Sequence, residues 1–292
     1  MAENLDERMA DLSWVKQMTL DIPYGSDSPA QRLDLFWPEA GEGPFPTLVY
    51  VHGGGFAFGD KRDGNLEGYL KCLRRGWALA AVEYRLSGEA LFPAAVLDCR
   101  SAVRFLKANA ERYRLDPARF ASIGGSAGGN LAAMLGMNVP NGEFPGEVCA
   151  EGPQPFVCAA VDQFGPMNFR SMDDQARANG VSFADHDQPD SLESRYLGEP
   201  VQQSERCAQT NPLTYAGPGM AAMLVQHGTA DRLVPYQQSE EFVSGLQARG
   251  LGDRVRFISL QGAGHGDPLF AADENMARVF DFLDPMLNGG KV

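Results

Sequence analysis

The sequence predicts an α/β architecture: an eight-stranded, mostly parallel sheet, doubly wound by flanking helices and carrying a lid insertion. Three observations carry that prediction. Short apolar runs alternate along the chain with longer segments of helical period. One such run, Phe120-Ala121-Ser122-Ile123, passes into Gly124-Gly125-Ser126-Ala127-Gly128 and then Asn130-Leu131-Ala132-Ala133-Met134-Leu135, a strand, a sharp turn and a helix. The 292 residues are 44% hydrophobic, enough to hide roughly three quarters of the unfolded surface. Residues 1–292 are therefore read as one domain.

The opening runs at 18–22 and 32–37, joined through Gly25-Ser26-Asp27, form an antiparallel pair. A strand at 47–51 precedes a helix near 64–75, and a strand at 78–84 precedes a helix starting at Pro93. In that helix Val96, Cys99, Val103 and Leu106 recur at steps of three and four, and Pro93 suits the first helical position. The strand at 119–123 leads into the serine turn. Runs at 157–161, 223–227 and 255–260 supply the last strands, with helices near 235–249 and 269–287.

The interval 168–215 breaks this rhythm, since it far exceeds the roughly 12–15 residues of an ordinary connection. Asp190 to Glu193 reads as an N-terminal capping pair and Gly198 as a helix stop, so a short helix is expected inside. An insertion here lies over the serine as a lid or substrate cap. The alternative, a solvated surface excursion, is suggested by its acids Asp173, Asp174, Asp185, Asp187 and Asp190.

The formal net charge of -13 disfavours nucleic acid and anionic membrane surfaces as partners. No run of about 18 apolar residues marks a membrane span, and residues 1–15 hold no apolar signal core. A cytoplasmic chain, or a secreted one already freed of its signal, is the expectation. Cys72 and Cys99 fall on helix faces as free buried thiols. Cys149 and Cys158 flank a loop with Gly152, Pro153 and Pro155 and either bridge or stay reduced.

A serine at a strand-to-helix apex is chemically useful only with partners, because an unassisted hydroxyl is a poor nucleophile at neutral pH. A base must accept its proton, and histidine, with a reference pKa of about 6.5, suits that exchange. Of the four histidines, His52 belongs to a glycine run and braces it, and His227 closes a strand as a core residue. His186 lies in the insertion, placed to meet substrate or nothing. His265, in Gly262-Ala263-Gly264-His265-Gly266 just past the last strand, is free to reach Ser126. The base needs a carboxylate to select its tautomer and balance its charge. Asp231, in Thr229-Ala230-Asp231-Arg232-Leu233, is the candidate, with Asp162 and Asp267 as alternatives.

The anion that forms when a carbonyl is attacked needs preformed N–H donors. His52-Gly53-Gly54-Gly55-Phe56 closes the strand at 47–51, and its glycines let backbone approach substrate. Gly54, Gly55 and Ala127 are the expected donors. A phosphate-cradling loop is the competing reading, but the run lacks the Lys-Ser/Thr ending and the spaced glycines of the nucleotide motifs. Phe56, Phe58, Phe92 and Phe164 either line an aromatic acyl pocket or serve the core. The order nucleophile, acid, histidine is that of α/β-hydrolases.

These motifs resemble the α/β-hydrolase fold and, within it, the hormone-sensitive-lipase-like esterases with an HGGG motif. His52-Gly53-Gly54-Gly55-Phe56-Ala57-Phe58-Gly59-Asp60-Lys61, Glu83-Tyr84-Arg85-Leu86-Ser87, Phe92-Pro93-Ala94-Ala95 with Asp98, and Gly125-Ser126-Ala127-Gly128-Gly129 are similar to one branch, the bifunctional feruloyl and acetylxylan esterases. Asp185-His186-Asp187-Gln188-Pro189-Asp190-Ser191 and Asn211-Pro212-Leu213-Thr214-Tyr215 resemble it too. The resemblance implies a serine esterase with Ser126, Asp231 and His265 as triad, no metal or organic cofactor, and small or polysaccharide-linked feruloyl or acetyl esters as substrates. Two other outcomes share the sequence features: an amide hydrolase of arylformamidase or peptidase type, and a non-catalytic ligand-binding homologue.

Overall fold

The central strands are apolar on both faces, and that double burial is why helices cover the sheet on either side. A computed structural model describes residues 8–147, 152–181 and 184–289. Its first half contains β1 (Gln17–Pro23), β2 (Arg32–Trp37), β3 (Phe45–Val51), α1 (Leu66–Leu70), β4 (Ala78–Val82), α2 (Ala94–Ala108) and α3 (Ala110–Tyr113). The centre is β5 (Leu115–Gly125), α4 (Ala127–Gly136) and β6 (Ala159–Gln163). There follow α5 (Phe169–Ala178), α6 (Leu192–Leu197), β7 (Ala222–Gly228), α7 (Gln237–Ala248), β8 (Val255–Leu260) and α8 (Asp273–Leu287).

Among the described residues eight strands form one sheet in the order β1-β2-β4-β3-β5-β6-β7-β8. β2 pairs antiparallel with β1 and with β4, and every other pairing is parallel. Alternation along each strand divides the core. Val49 and Val51 of β3, Ala80 and Val82 of β4 and Met223 and Val225 of β7 face the layer that contains α2, α4 and α7. Leu48, Tyr50, Leu79, Ala81 and Leu224 face the opposite layer, where α1 and α8 contribute Leu66, Leu70, Val279, Phe280 and Leu283. No helix among the described residues is long and apolar enough to cross a membrane.

The structure moves several boundaries. β6 runs to Gln163, two residues past the expected end, and so includes the buried polar pair Asp162 and Gln163. Gln163 is accommodated there because the Tyr69 hydroxyl donates to its Oε1 at 2.5 Å and its own amide donates to Gln226 at 2.8 Å. Pro93 stands at the N-cap of α2 rather than inside it. The cap of α6 is Ser191, not Asp190: in an extended conformation its Oγ accepts the Ser194 N–H at 3.0 Å. Gly198 ends that helix in the left-handed region, as expected. Cys149 lies outside the described residues, and Cys72, Cys99, Cys158 and Cys207 are free thiols.

Candidate active site

The parallel strands end on one edge, and the loops leaving β3, β5, β7 and β8 there carry the residues singled out above. Between β5 and α4 the chain reverses at Ser126, whose φ of 56° and ψ of -127° lie where non-glycine residues are strained. The reversal is tight. A Cβ on Gly128 would sit 2.2 Å from the Val51 carbonyl oxygen and 2.6 Å from that of His52, so only glycine lets α4 pack this close to β3. The Ser126 N–H donates to the Gln163 carbonyl at 2.9 Å, which ties the turn to β6.

The imidazole of His265 brings the distant segments together. Its Nε2 lies 2.9 Å from Ser126 Oγ and its Nδ1 2.8 Å from Asp231 Oδ2. Asp231 follows β7 and is buried. Its Oδ1 accepts the N–H groups of Leu233 and Val234, both at 2.9 Å, and its Oδ2 lies 3.3 Å from His227 Nε2. Burial alone would raise this carboxyl. The adjacent His265 and His227 rings outweigh it and hold the group well below the ordinary carboxylate range. Asp267, the near neighbour in sequence, spends Oδ1 on the Leu269 N–H of its own turn. Asp162 accepts the Gly165 N–H at 2.9 Å, its Oδ2 has no partner, and burial pushes it up to about 7.

Past β3, the glycine run turns over a buried frame. His52 places Nδ1 2.7 Å from the Gly53 carbonyl oxygen and Nε2 2.9 Å from Glu83 Oε1, and its ring stacks on Tyr84 at 4.3 Å. Burial works against its charge, but the Glu83 carboxylate raises its pKa overall. It braces the loop, as the sequence suggested. Gly54 has a φ of 104°, and a Cβ there would meet the Phe58 carbonyl oxygen at 2.0 Å. Its carbonyl accepts the N–H groups of Ala57 and Phe58, each at 3.0 Å, so the turn closes on itself. Ala127 opens α4, which leaves its N–H among the first-turn donors that have no intrahelical acceptor.

The four phenylalanines separate. Phe164, at a φ of 46°, lies edge-on to His265 at 4.9 Å and to Phe270 at 4.3 Å. Phe58 is exposed. Phe56 and Phe92 are buried in the core instead of lining a pocket: Phe56 stacks on Tyr196 at 4.0 Å and Phe92 meets the same ring edge-on at 5.6 Å.

Three contacts at the site were not legible in the sequence. His227, expected as a core residue, also touches Asp231. His186, expected to meet substrate or nothing, is buried and reaches the Leu233 carbonyl oxygen at 3.0 Å. Leu192 of α6 packs against Gly55, close enough that a Cβ on that glycine would lie 2.4 Å from its Cδ1. A local signal existed only for the Asp231 turn, where an Asp two residues before an amide donor is a common pattern.

A family model described as BD-FAE matches residues 33–246. Esterase LipC of Mycobacterium tuberculosis is 28% identical over 250 residues, which cover 84% of this chain and 59% of that protein. The isoprenylcysteine alpha-carbonyl methylesterase ICME of Arabidopsis thaliana is 28% identical over 265 residues, 88% of this chain and 58% of that protein. The chain thus spans little more than half the length of these relatives. Among solved structures, a bifunctional GH43-CE of Bacteroides eggerthii superposes with a TM-score of 0.80 at 28% identity, over 92% of this chain and 35% of that one. A truncated carbohydrate esterase from gut microbiota shares the fold at a TM-score of 0.81 and 23% identity, over 96% of this chain and all of that one.

Proposed function

The chain belongs to the BD-FAE family, and from that premise we propose that it is a serine carboxylesterase working through an acyl-enzyme. One observation carries the reading: a single imidazole lies within hydrogen-bond reach of the strained Ser126 hydroxyl on one side and of the buried Asp231 carboxylate on the other.

In the proposed reaction Ser126 Oγ attacks the ester carbonyl while its proton passes to His265 Nε2. Asp231 accepts from Nδ1–H and stabilises the imidazolium. The negative oxygen is held by the N–H groups of Gly54, Gly55 and Ala127, each donor worth roughly 3–4 kcal/mol of barrier. The tetrahedral species collapses as His265 gives its proton to the departing alkoxide, which leaves an acyl-serine and a free alcohol. Water then repeats the sequence, with His265 taking its proton and returning one to Ser126, and the acid is released.

The proposed substrates are feruloyl or acetyl esters of plant polysaccharide, or related small esters. The motifs shared with feruloyl and acetylxylan esterases support this choice, as does an apolar rim. Phe58, Leu233 and Leu269 are 41%, 52% and 48% exposed, and each belongs to a loop that carries a site residue. Such side chains favour an aromatic or aliphatic acyl group over a charged one. In this reading residues 168–215 serve as the cap.

Replacement of Ser126 by Ala is expected to abolish hydrolysis of p-nitrophenyl acetate with the melting temperature little changed; residual activity equal to wild type would end the esterase reading. Methyl ferulate and acetylated xylan, assayed beside p-nitrophenyl esters from acetate to decanoate, test the substrate class. Turnover of aliphatic esters alone would remove the feruloyl assignment.

A further inference from the structure

The insertion touches both sides of the site at once. His186 Nε2 lies 3.0 Å from the Leu233 carbonyl oxygen and Nδ1 lies 3.1 Å from Glu193 Oε1. Leu233 and its neighbour Val234 are the residues whose N–H groups hold Asp231 Oδ1. A few residues on, Leu192 packs against Gly55 and Tyr196 stacks on Phe56. Residues 186–196 therefore reach from the acid loop to the glycine loop.

Both neighbours of the His186 ring are acceptors, a carbonyl and a carboxylate, so both nitrogens must donate. The groups facing it are Glu193 from α6, Asp173 from α5, whose Oδ1 accepts the His186 N–H at 2.9 Å, and Asp185 of its own segment. Arg177 of α5 lies 3.7 Å from Asp173. Burial would strip the ring of its proton, but Glu193 and the further acids push its pKa up to about 9. The ring thus carries both N–H groups at neutral pH.

We propose that His186 is a positioning residue, which ties Leu233 to the insertion and thereby aims Asp231 at His265. The proposal rests on the serine-esterase reading of the site. His186→Gln keeps a donor where Nε2 stands and can retain the bond to Leu233. His186→Asn keeps a donor only where Nδ1 stands, facing Glu193.

In His186→Asn, kcat on p-nitrophenyl acetate should fall about tenfold with KM within about twofold. The rising limb of its kcat/KM profile should move a few tenths of a pH unit lower, because a loosened carboxylate stabilises the imidazolium less. His186→Gln should stay within about twofold of wild type. Amide exchange at Leu233 and Val234 should quicken in the Asn variant and not in the Gln variant. Equal losses in both variants, or a lowered melting temperature with kcat, pH profile and exchange unchanged, would overturn the proposal. Exchange needs no catalysis, so it judges the tie even if Ser126→Ala were to defeat the esterase reading.

Discussion

The rim loops that carry Ser126, Asp231 and His265 and the insertion that packs against them put one kind of side chain to opposite uses. His265 faces a carboxylate on one nitrogen and a hydroxyl on the other. A hydroxyl can donate or accept, so the proton between them has a path. His186 faces two acceptors, and both its protons are fixed. The carboxylates divide in the same way. Asp231 is buried among two amides and two imidazoles and is held low, whereas Asp162, one strand away with a single amide, is pushed up to about 7. Burial alone therefore predicts neither charge nor duty. The chemistry of the partners does.

Changes on the rim test this division most severely. Asp231→Asn keeps the shape but removes the charge, and kcat should fall by about 10⁴ while the fold survives. A loss near tenfold would mean that the carboxylate matters only for packing. Next in size is Gly54→Ala. Its Cβ would collide with the Phe58 carbonyl at 2.0 Å from a φ of 104°, so the turn must shift and the proposed donor with it. Loss of one such donor costs about 10² to 10³ in kcat. An unchanged KM beside that loss would show that the loop acts on the transition state rather than on binding.

His227 lies at the border of the two regions. It is buried, with Nδ1 2.7 Å from Ser239 Oγ and Nε2 3.0 Å from the Val234 carbonyl oxygen. His227→Ala should lower stability by about 1–3 kcal/mol through the groups left unpaired. It should lower kcat less than Asp231→Asn does, since the Leu233 and Val234 amides remain on the carboxylate. A kinetic loss as large as that of Asp231→Asn would move His227 from support to chemistry.

What was legible in the sequence was what neighbours in the chain encode. The strand-turn-helix around Ser126, the glycines after β3 and the period of α2 each need only a few consecutive residues. His265 followed from a short list of histidines and its place after the last strand. Apart from His227 with Asp231, four residues on, the invisible contacts join segments far apart: His186 with Leu233, Leu192 with Gly55, Tyr196 with Phe56. Nothing local in 184–198 distinguishes a brace from a solvated loop, and its acids pointed to the second. Asp173 and Glu193 are in fact buried, serving His186. The end of β6 was misplaced for a similar reason, since Gln163 looks like a loop residue until Tyr69 and Gln226 supply its partners.

The smallest expected effect separates the two regions by pH. Asp231 has a folded-state pKa below its unfolded value, so its contribution to stability is present above about pH 4 and is lost on acidification. His186 has a folded-state pKa near 9, above an unfolded value of about 6.5. Its contribution is complete below pH 6.5 or so and fades as the pH rises toward 9. Asp162 loses stability for the fold between about pH 4 and about 7, which leaves the interval above 7 clear of it. His52, raised by Glu83, acts in the same direction as His186, so the wild-type slope alone assigns nothing. The difference between wild type and His186→Gln does, because glutamine keeps the bond to Leu233 and cannot titrate. Melting temperatures measured from pH 4 to 10 should show a shallower alkaline decline in the variant and an unaltered acid limb. Parallel curves throughout would place the alkaline titration outside the insertion and break the contrast between a histidine proposed to move its proton and one that keeps it.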